Sequence, residues 1–226
     1  MRSRGILHDL LPPETSQLYG LLLLLSGAAL LVSTPIAGRL SQSPAAAGGQ
    51  LPLIFLLTYA VLMALVGLHR GSAAAAMSGE AYPRVILALQ VAVAQLLMAP
   101  FLVFVRAVLP SHEPRIALIA AYVGLVSFAA GMVAFRLERW AERTRRDAFP
   151  LKHVVVFAYY LAPFFLGFAG HASATLLGLI SPIGAVYGLL EGMPAHLAAI
   201  AFLAPVAIFL PLVIYRRPLP QGRAHE

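Results

Sequence analysis

Residues 51–68 read LPLIFLLTYAVLMALVGL, a stretch of eighteen positions without one charged side chain. A helix of about 20 apolar residues is long enough to cross the hydrocarbon core of a bilayer. No water is present there to bond the backbone, and a helix satisfies its own peptide groups. This stretch therefore predicts a transmembrane helix.

The composition of the whole chain agrees with this segment. Of its 226 residues, 60% are hydrophobic and 11% are charged, and the mean hydropathy is +0.85. Such a chain has too little polar surface to cover a water-soluble globule, and its length leaves no room for a sizeable soluble domain. Because the chain has no cysteine, disulfides, thiolate metal sites and cysteine nucleophiles are excluded.

Five further apolar segments complete an all-α, polytopic membrane domain over residues 18–217. The six predicted spans are Leu18–Ala37, Leu51–Leu68, Val85–Leu109, Ile116–Phe135, His153–Ala169 and Pro194–Tyr215. Residues 1–17 form a cytoplasmic amino-terminal segment, and residues 218–226 a cytoplasmic tail. Two structures fit Ser3–Leu11, whose apolar residues have near-helical spacing: a short helix on the membrane surface, or a frayed tail.

The basic residues predict the orientation of these spans. Arg136–Lys152 is the most polar stretch and is predicted as a cytoplasmic loop, and His69–Arg84 as a weakly polar connection on the same side. With the amino terminus inside, 13 of the 16 Lys and Arg residues fall on the inner side, and only Arg39, Arg106 and Arg115 on the outer side. Because short cytoplasmic loops retain Lys and Arg, the chain predicts a multi-pass protein of the bacterial inner membrane with both termini cytoplasmic.

The same distribution explains the net charge of +7. The basic residues flank apolar segments, where they face anionic lipid headgroups. Membrane lipids are therefore expected as partners, and nucleic acid is not. Arg106, near the outer end of the third span, is expected to extend its long stem to the headgroups, and a substrate contact is the alternative.

The segment His171–Gly192 fits neither an ordinary loop nor a straight helix. It is largely apolar, but Pro182 and several glycines interrupt it, and each glycine lowers helix stability by up to about 1 kcal/mol relative to alanine. A crossing here would place the basic carboxy-terminal tail outside. We therefore predict a re-entrant helical hairpin on the outer side between spans five and six, shielded by protein. A seventh span is the alternative.

The sequence carries no signature of catalysis or of a metal site. There is no phosphate-binding loop of the form GxxxxGK[ST], no acidic pair within a span, and no histidine pair at i, i+3 or i, i+4. No cofactor and no metal are expected. Residues around the predicted hairpin form either an outer exit region or a solvated rim; they are His171, Ser181, Pro182, Glu191 and His196.

Three segments together resemble the permease subunit of type 2 ABC exporters, a family of six-span proteins that pair with a separate ATPase. HRGSAAAAMSGEAYPRVILALQ, at His69–Gln90, is similar to the basic, Gly- and Ser-containing stretch after the second span of that family. YVGLVSFAAGMVAFRLERW, at Tyr122–Trp140, resembles its fourth span. LLGLISPIGAVYGLLEG, at Leu176–Gly192, resembles the segment before its terminal helix. The haem-exporter type B permeases are a related group.

This resemblance implies a function, partners and a coupling element. The chain would be the permease of an ATP-driven export system, paired with a second copy or a homologous permease above two ABC ATPase subunits. It would not be an enzyme itself. The connection His69–Arg84 would receive the movement of the ATPase, and the residues implied there are Arg70, Gly71, Ser72, Glu80 and Arg84. The alternative is a non-transporting membrane anchor or scaffold subunit, and the substrate stays open.

Overall fold

The computed structural model of this chain describes residues 17, 19–28, 44–76, 83–108, 113–144, 149–169 and 180–214, without the side chains of 44–52, 83, 108, 113, 162–169 and 210–214. Within these ranges helices are the only regular secondary structure, which confirms the all-α prediction. The helices are α1 Tyr19–Ala28, α2 Pro44–Ala76, α3 Pro83–Val108, α4 Glu113–Thr144, α5 Phe149–Ala169, α6 Pro182–Glu191 and α7 Ala195–Ile214. Three of the described helices, α2, α3 and α4, are long and apolar enough to cross a membrane.

Helices α2 and α4 form the centre of the bundle and make its most extensive helix contact. They run parallel: Ser127 Oγ donates to Met63 O over 2.6 Å, and further along both helices Gly71 lies against Gly131. The backbones touch because Gly67 and Gly71 carry no side chain. A Cβ atom at either position would overlap a carbonyl oxygen of α4. The four-residue spacing places both glycines on one face of α2, and we call this contact the glycine seam.

Helix α3 runs antiparallel to α2. The Phe55 ring stacks on Phe101 with 6.2 Å between centroids, and one turn later along α2 the Tyr59 hydroxyl donates to Gln95 Oε1, further back on α3. The amide of Gln95 also reaches α4, where its Nε2 donates to Ala120 O over 3.4 Å. Since α3 lies between the parallel helices α2 and α4 in sequence, it returns the chain from one end of the bundle to the other.

Helix α1 runs parallel to α3. The Tyr19 hydroxyl donates to Gln90 O over 3.0 Å, and seven residues later Ser26 Oγ lies 3.5 Å from Met98 Sδ. Both groups are buried, together with Leu22 between them. The buried face of α1 therefore packs on the first half of α3.

Helix α5 runs antiparallel to α2. Lys152 Nζ donates to Ser72 Oγ over 2.7 Å, and eight residues later the Tyr160 hydroxyl donates to Ala60 O over 3.0 Å. We call the end of the bundle that holds Ser72 and Lys152 the polar end. The opposite end holds Arg115, in the first turn of α4, and is called the Arg115 end.

Helix α6 is short and runs from the middle of the bundle towards the Arg115 end. The buried Ser181, just before its first residue, donates from Oγ to Tyr160 O over 2.6 Å. At the other end of α6, Arg115 Nη1 donates to Leu190 O over 2.9 Å. The ten residues of α6 rise about 15 Å, roughly half the thickness of a bilayer's hydrocarbon core.

Helix α7 runs in the opposite direction, towards the polar end. Its Phe202 packs edge-on against Tyr122 of α4, and its Phe209 against Tyr159 of α5, with centroids 5.3 and 5.1 Å apart. Tyr159 lies closer to the polar end than Tyr122 does, so the later residue of α7 is the one nearer that end. Helices α1, α3, α5 and α6 therefore run one way, and α2, α4 and α7 the other.

The predicted second span is longer than the sequence indicated. Helix α2 continues past Leu68 to Ala76, so the first half of the predicted connection His69–Arg84 is helical. The run of alanines at its end explains the extension, because alanine has the highest helix propensity. The prediction of a connection across His69–Ala76 was wrong.

The predicted cytoplasmic loop Arg136–Lys152 is also largely helical. Helix α4 continues to Thr144, and α5 begins at Phe149, so Lys152 lies in the first turn of α5. Charged residues with good helix propensity extend α4, and one pair, Arg139 and Glu142, forms an i, i+3 ion pair of 3.5 Å. The predicted surface helix Ser3–Leu11 and the residues after 214 lie outside the described part of the chain.

The glycine seam predicts that replacing glycine by alanine changes the stability of the protein in opposite directions at Gly71 and at Gly20. In an open helical position Gly→Ala stabilises by up to about 1 kcal/mol, and G20A meets that condition because its Cβ has nothing within 4 Å. At Gly71 the same methyl group overlaps the Gly131 carbonyl, and overpacking costs about 1–3 kcal/mol. We expect G71A to lower, and G20A to keep or raise, the melting temperature of the detergent-solubilised protein. Equal shifts in both variants would contradict the seam.

Candidate functional site

Three helices place charged and polar groups together at the polar end. Lys152 Nζ of α5 donates to Ser72 Oγ of α2 at 2.7 Å and to Glu138 Oε1 of α4 at 2.5 Å. The side chains of Lys152 and Glu138 are only 9% and 28% exposed. A buried cation is costly unless a counter-charge and hydrogen bonds surround it, as they do here. This Lys152 cluster, formed by Ser72, Glu138 and Lys152, therefore ties α2, α4 and α5 at one level.

Arg70, two residues before Ser72 on α2, is a second buried cation near the cluster. Its side chain is 1% exposed, and its guanidinium carbon lies 5.6 Å from the centre of the Tyr19 ring. That distance is within the range of a cation–π interaction, which strengthens when the pair is desolvated. Arg70 thus connects the end of α2 to the start of α1, and it does not face the surface.

The structure separates the five residues that the resemblance implied for coupling to an ATPase. Arg70, Gly71 and Ser72 are internal residues of α2 that contact α1, α4 and α5 respectively. Arg84 is exposed at the start of α3, and Glu80 lies outside the described residues. Among the described members of this set, only Arg84 is exposed enough for direct contact with a large partner.

The surface around the Lys152 cluster is basic and aromatic. Arg139 lies 31% exposed at the end of α4, followed by the exposed Arg143. Trp140 is 40% exposed, and Phe149, at the start of α5, is 63% exposed. Aromatic side chains with basic neighbours are typical of the boundary between hydrocarbon and water in membrane proteins. We call Arg84, Arg139, Trp140, Arg143 and Phe149 the basic surface.

Polar groups in the middle of the bundle bond to the protein itself. Tyr59 and Gln95 link α2, α3 and α4, and the Tyr160 hydroxyl bonds the backbone of α2 at Ala60. In surroundings without water such bonds hold helices together. Tyr159 and Tyr160 are both buried, and their rings pack edge-on with centroids 6.2 Å apart.

Helix α6 has a complete cap at each end. Ser181 Oγ accepts the amide of Ile183 over 3.3 Å while it donates to Tyr160 O, and Pro182 occupies the first turn, where its missing N–H costs nothing. At the other end Gly192 adopts φ 84°, a left-handed conformation that favours glycine. A side chain there would also meet the Arg115 guanidinium, at 2.6 Å.

The predicted exit-region residues lie at the two ends of α6. Ser181 and Pro182 are buried at its inner end, where they form the cap. Glu191 and His196 are exposed on either side of the turn at the Arg115 end. His171 is outside the described residues. The structure therefore assigns a structural contact to Ser181 and Pro182 and leaves Glu191 and His196 exposed.

Sequence reasoning missed the glycine seam and the Lys152 cluster. The signal for the seam was present, since Gly67-x-x-x-Gly71 on α2 and Ser127-x-x-x-Gly131 on α4 are both small-x-x-x-small patterns. The Lys152 cluster had no local signal, because Ser72, Glu138 and Lys152 are far apart in sequence and each is common near a membrane surface.

The chain matches no family model, no curated protein and no solved structure. In the described parts of the chain, no three His, Asp or Glu side chains come together where they could hold a metal ion. The polar features that the described residues present are the Lys152 cluster, the basic surface and the two caps of α6.

The Lys152 cluster generates a prediction about stability. Removing either charge leaves the other partly buried without a hydrogen-bond partner, so we expect K152M and E138Q each to lower the free energy of unfolding by about 1–3 kcal/mol. The double variant should cost less than the sum of the two. Arg139 and Glu142, a more exposed pair, provide the control, for which about 0–1 kcal/mol is expected. Thermal unfolding in detergent is measured for the single and double variants of each pair. Additive losses at Lys152 and Glu138 would contradict a coupled pair.

Proposed function

We propose that this chain is the membrane permease subunit of an ATP-driven ABC export system, energised by a separate ATPase subunit. The assignment to export rests on the resemblance of three segments to type 2 ABC exporter permeases, and the membrane topology rests on the alternation of helix direction and the 13-to-3 distribution of basic residues. Together they indicate a bundle that crosses the inner membrane repeatedly and keeps its basic end in the cytoplasm. The chain has no phosphate-binding loop of its own, so the energy must come from a partner.

Six crossings with cytoplasmic termini account for the helix directions. Helices α1, α3 and α5 run from the polar end, and α2, α4 and α7 run towards it, as an even number of crossings requires. Helices α5 and α7, with 21 and 20 residues, are each about 30 Å long, which matches the hydrocarbon thickness. Arg84, Arg139 and Arg143 lie at the polar end, which the proposal places in the cytoplasm.

The proposal includes the re-entrant hairpin between spans five and six. Its support is the position of α6, which begins beside Tyr160, close to the middle of α5, and ends beside Arg115, at the start of α4. A helix with these neighbours covers only the half of the bundle nearer the Arg115 end. Ser181 and Pro182 would then lie at mid-membrane depth, where the Ser181 hydroxyl satisfies backbone groups that have no water partner.

The proposed coupling element is the basic surface, in place of the predicted connection His69–Arg84. We propose that the ATPase contacts exposed residues such as Arg84 and Arg143, and that the Lys152 cluster passes the movement to α2, α4 and α5 together. Two hydrogen bonds continue this route to α6. The Tyr160 hydroxyl donates to Ala60 O of α2, and Ser181 Oγ donates to Tyr160 O. Arg70, Gly71 and Ser72 act from inside, because they hold α2 to its neighbours. A second permease copy or a homologous permease would complete the transport path.

The topology can be tested in this cysteine-free chain by labelling single cysteines. Cysteines at Ser43, Ser111 and Ser173 should react with a membrane-impermeant maleimide added to intact cells. Cysteines at Ser78, Thr144 and Gln221 should react only after the membrane is opened. The reverse pattern would overturn the orientation, and a mixed pattern would overturn six crossings.

The coupling role can be tested by charge reversal on the basic surface. We expect R84E together with R143E to reduce co-purification of the ATPase subunit and ATP-driven export at least ten-fold, because an acidic partner surface would be repelled. Arg70 is left unchanged because it is buried. The control is R39E, which reverses a cation predicted on the outer side, and cysteine labelling must show that orientation is retained, since inner basic residues also set topology. Unchanged export would disprove the coupling assignment and favour the scaffold alternative.

A further inference from the structure

Arg106 belongs to no part of the proposed coupling route, but it lies at the rim of a groove between α3 and α4. The groove has a volume of about 400 Å³, within the usual range of about 300–1,000 Å³ for small-molecule sites. Its lining extends from Ala99 to Arg106 on α3 and from Pro114 to Ala120 on α4. Among the described lining residues every other side chain is apolar, so this part of the groove combines a hydrocarbon surface with one cation.

The groove also has a defined depth. Arg106 lies two residues before the end of α3, and Pro114 is the second residue of α4, so the cation is at the Arg115 end of the bundle. From Arg106 back to Ala99 the helix rises about 10 Å. That is roughly the outer third of a hydrocarbon core of about 30 Å, with the guanidinium at the level of the headgroups.

Large apolar side chains of α3 and α4 are exposed on the surface of the bundle. Val103, Phe104 and Leu118 are 61%, 52% and 48% exposed, and α3 and α4 are two of the helices long and apolar enough to cross a membrane. An occupant therefore arrives from the lipid phase. It needs a chain for the apolar wall and a negative charge for Arg106, since a guanidinium binds phosphate oxygens with two parallel hydrogen bonds.

We propose that the α3–α4 groove, with Arg106 at its rim, binds one acyl chain and the headgroup phosphate of an anionic phospholipid. The lipid comes from the leaflet at the Arg115 end. Its acyl chain packs between Leu102 and Ala117, and its phosphate pairs with Arg106. This site requires only that α3 and α4 cross the membrane, and it is independent of ATP-driven transport.

The test uses tryptophan fluorescence, because the chain has one tryptophan, Trp140, at the far end. The full chain carrying W140F and V103W is placed in nanodiscs containing phosphatidylglycerol or phosphatidylcholine with matched brominated acyl chains. Val103 lines the groove and is 61% exposed, so the V103W indole is quenched by bromine on an acyl chain in the groove. We expect phosphatidylglycerol to quench about five-fold more effectively at equal mole fraction, the factor that corresponds to about 1 kcal/mol per cation near anionic lipid.

Two variants should abolish this preference and three should keep it. R106Q removes the charge, and A117F fills the groove without changing the charge. R106K keeps the charge, R84Q removes an exposed cation at the other end, and A92F adds the same ring at an exposed position outside the groove. R106K guards against a loss caused by misfolding. Equal quenching by the two lipids, or a preference that survives R106Q, would overturn the proposal, as would displacement of brominated phosphatidylglycerol by oleate but not by unlabelled phosphatidylglycerol.

Discussion

The contact between α2 and α4 determines the rest of the bundle. Two parallel helices can touch backbone to backbone only where small residues face each other, and here Gly67 and Gly71 of α2 lie against Ser127 and Gly131 of α4. Close approach increases dispersion contacts along the pair, and these drive helix association in lipid, where no hydrophobic force acts between helices. With α2 and α4 fixed in register, Gln95 of α3 can reach both of them, and the chain between the two parallel helices must cross back as α3.

The seam also explains how charges are kept inside the polar end. Ser72 lies one residue after Gly71, so the register of the seam sets the height at which its hydroxyl meets Lys152. Glu138 reaches the same point from α4. Each charged group therefore has its partner on a different helix, and no single helix can slide without separating them. A buried ion pair is a poor source of net stability but a strong constraint on register, because a displaced charge would be left unpaired.

Helix α6 depends on its neighbours in a different way. Ten residues are too few for a stable helix in isolation, since the first turn is costly and few bonds follow it. Here α5 supplies an acceptor for Ser181, and α4 supplies the Arg115 guanidinium for the last carbonyl groups. The helix therefore persists only while α4 and α5 keep their spacing. A change of that spacing at the polar end would reach α6 through the bonds that hold it, which is the physical basis of the proposed coupling.

The sequence by itself determined the all-helical class, the apolar segments and the asymmetry of charge, because each follows from local composition. It also indicated that Pro182 and the nearby glycines interrupt a straight helix. It misjudged where α2 and α4 end, because charged residues read as loop signals, although Arg139 and Glu142 are good helix formers and pair along α4. Only the tertiary structure decided that Arg70 and Lys152 are buried and that Arg106 borders a groove. Burial depends on which helices become neighbours, and that is set by contacts such as Gly71 with Gly131, between residues sixty positions apart.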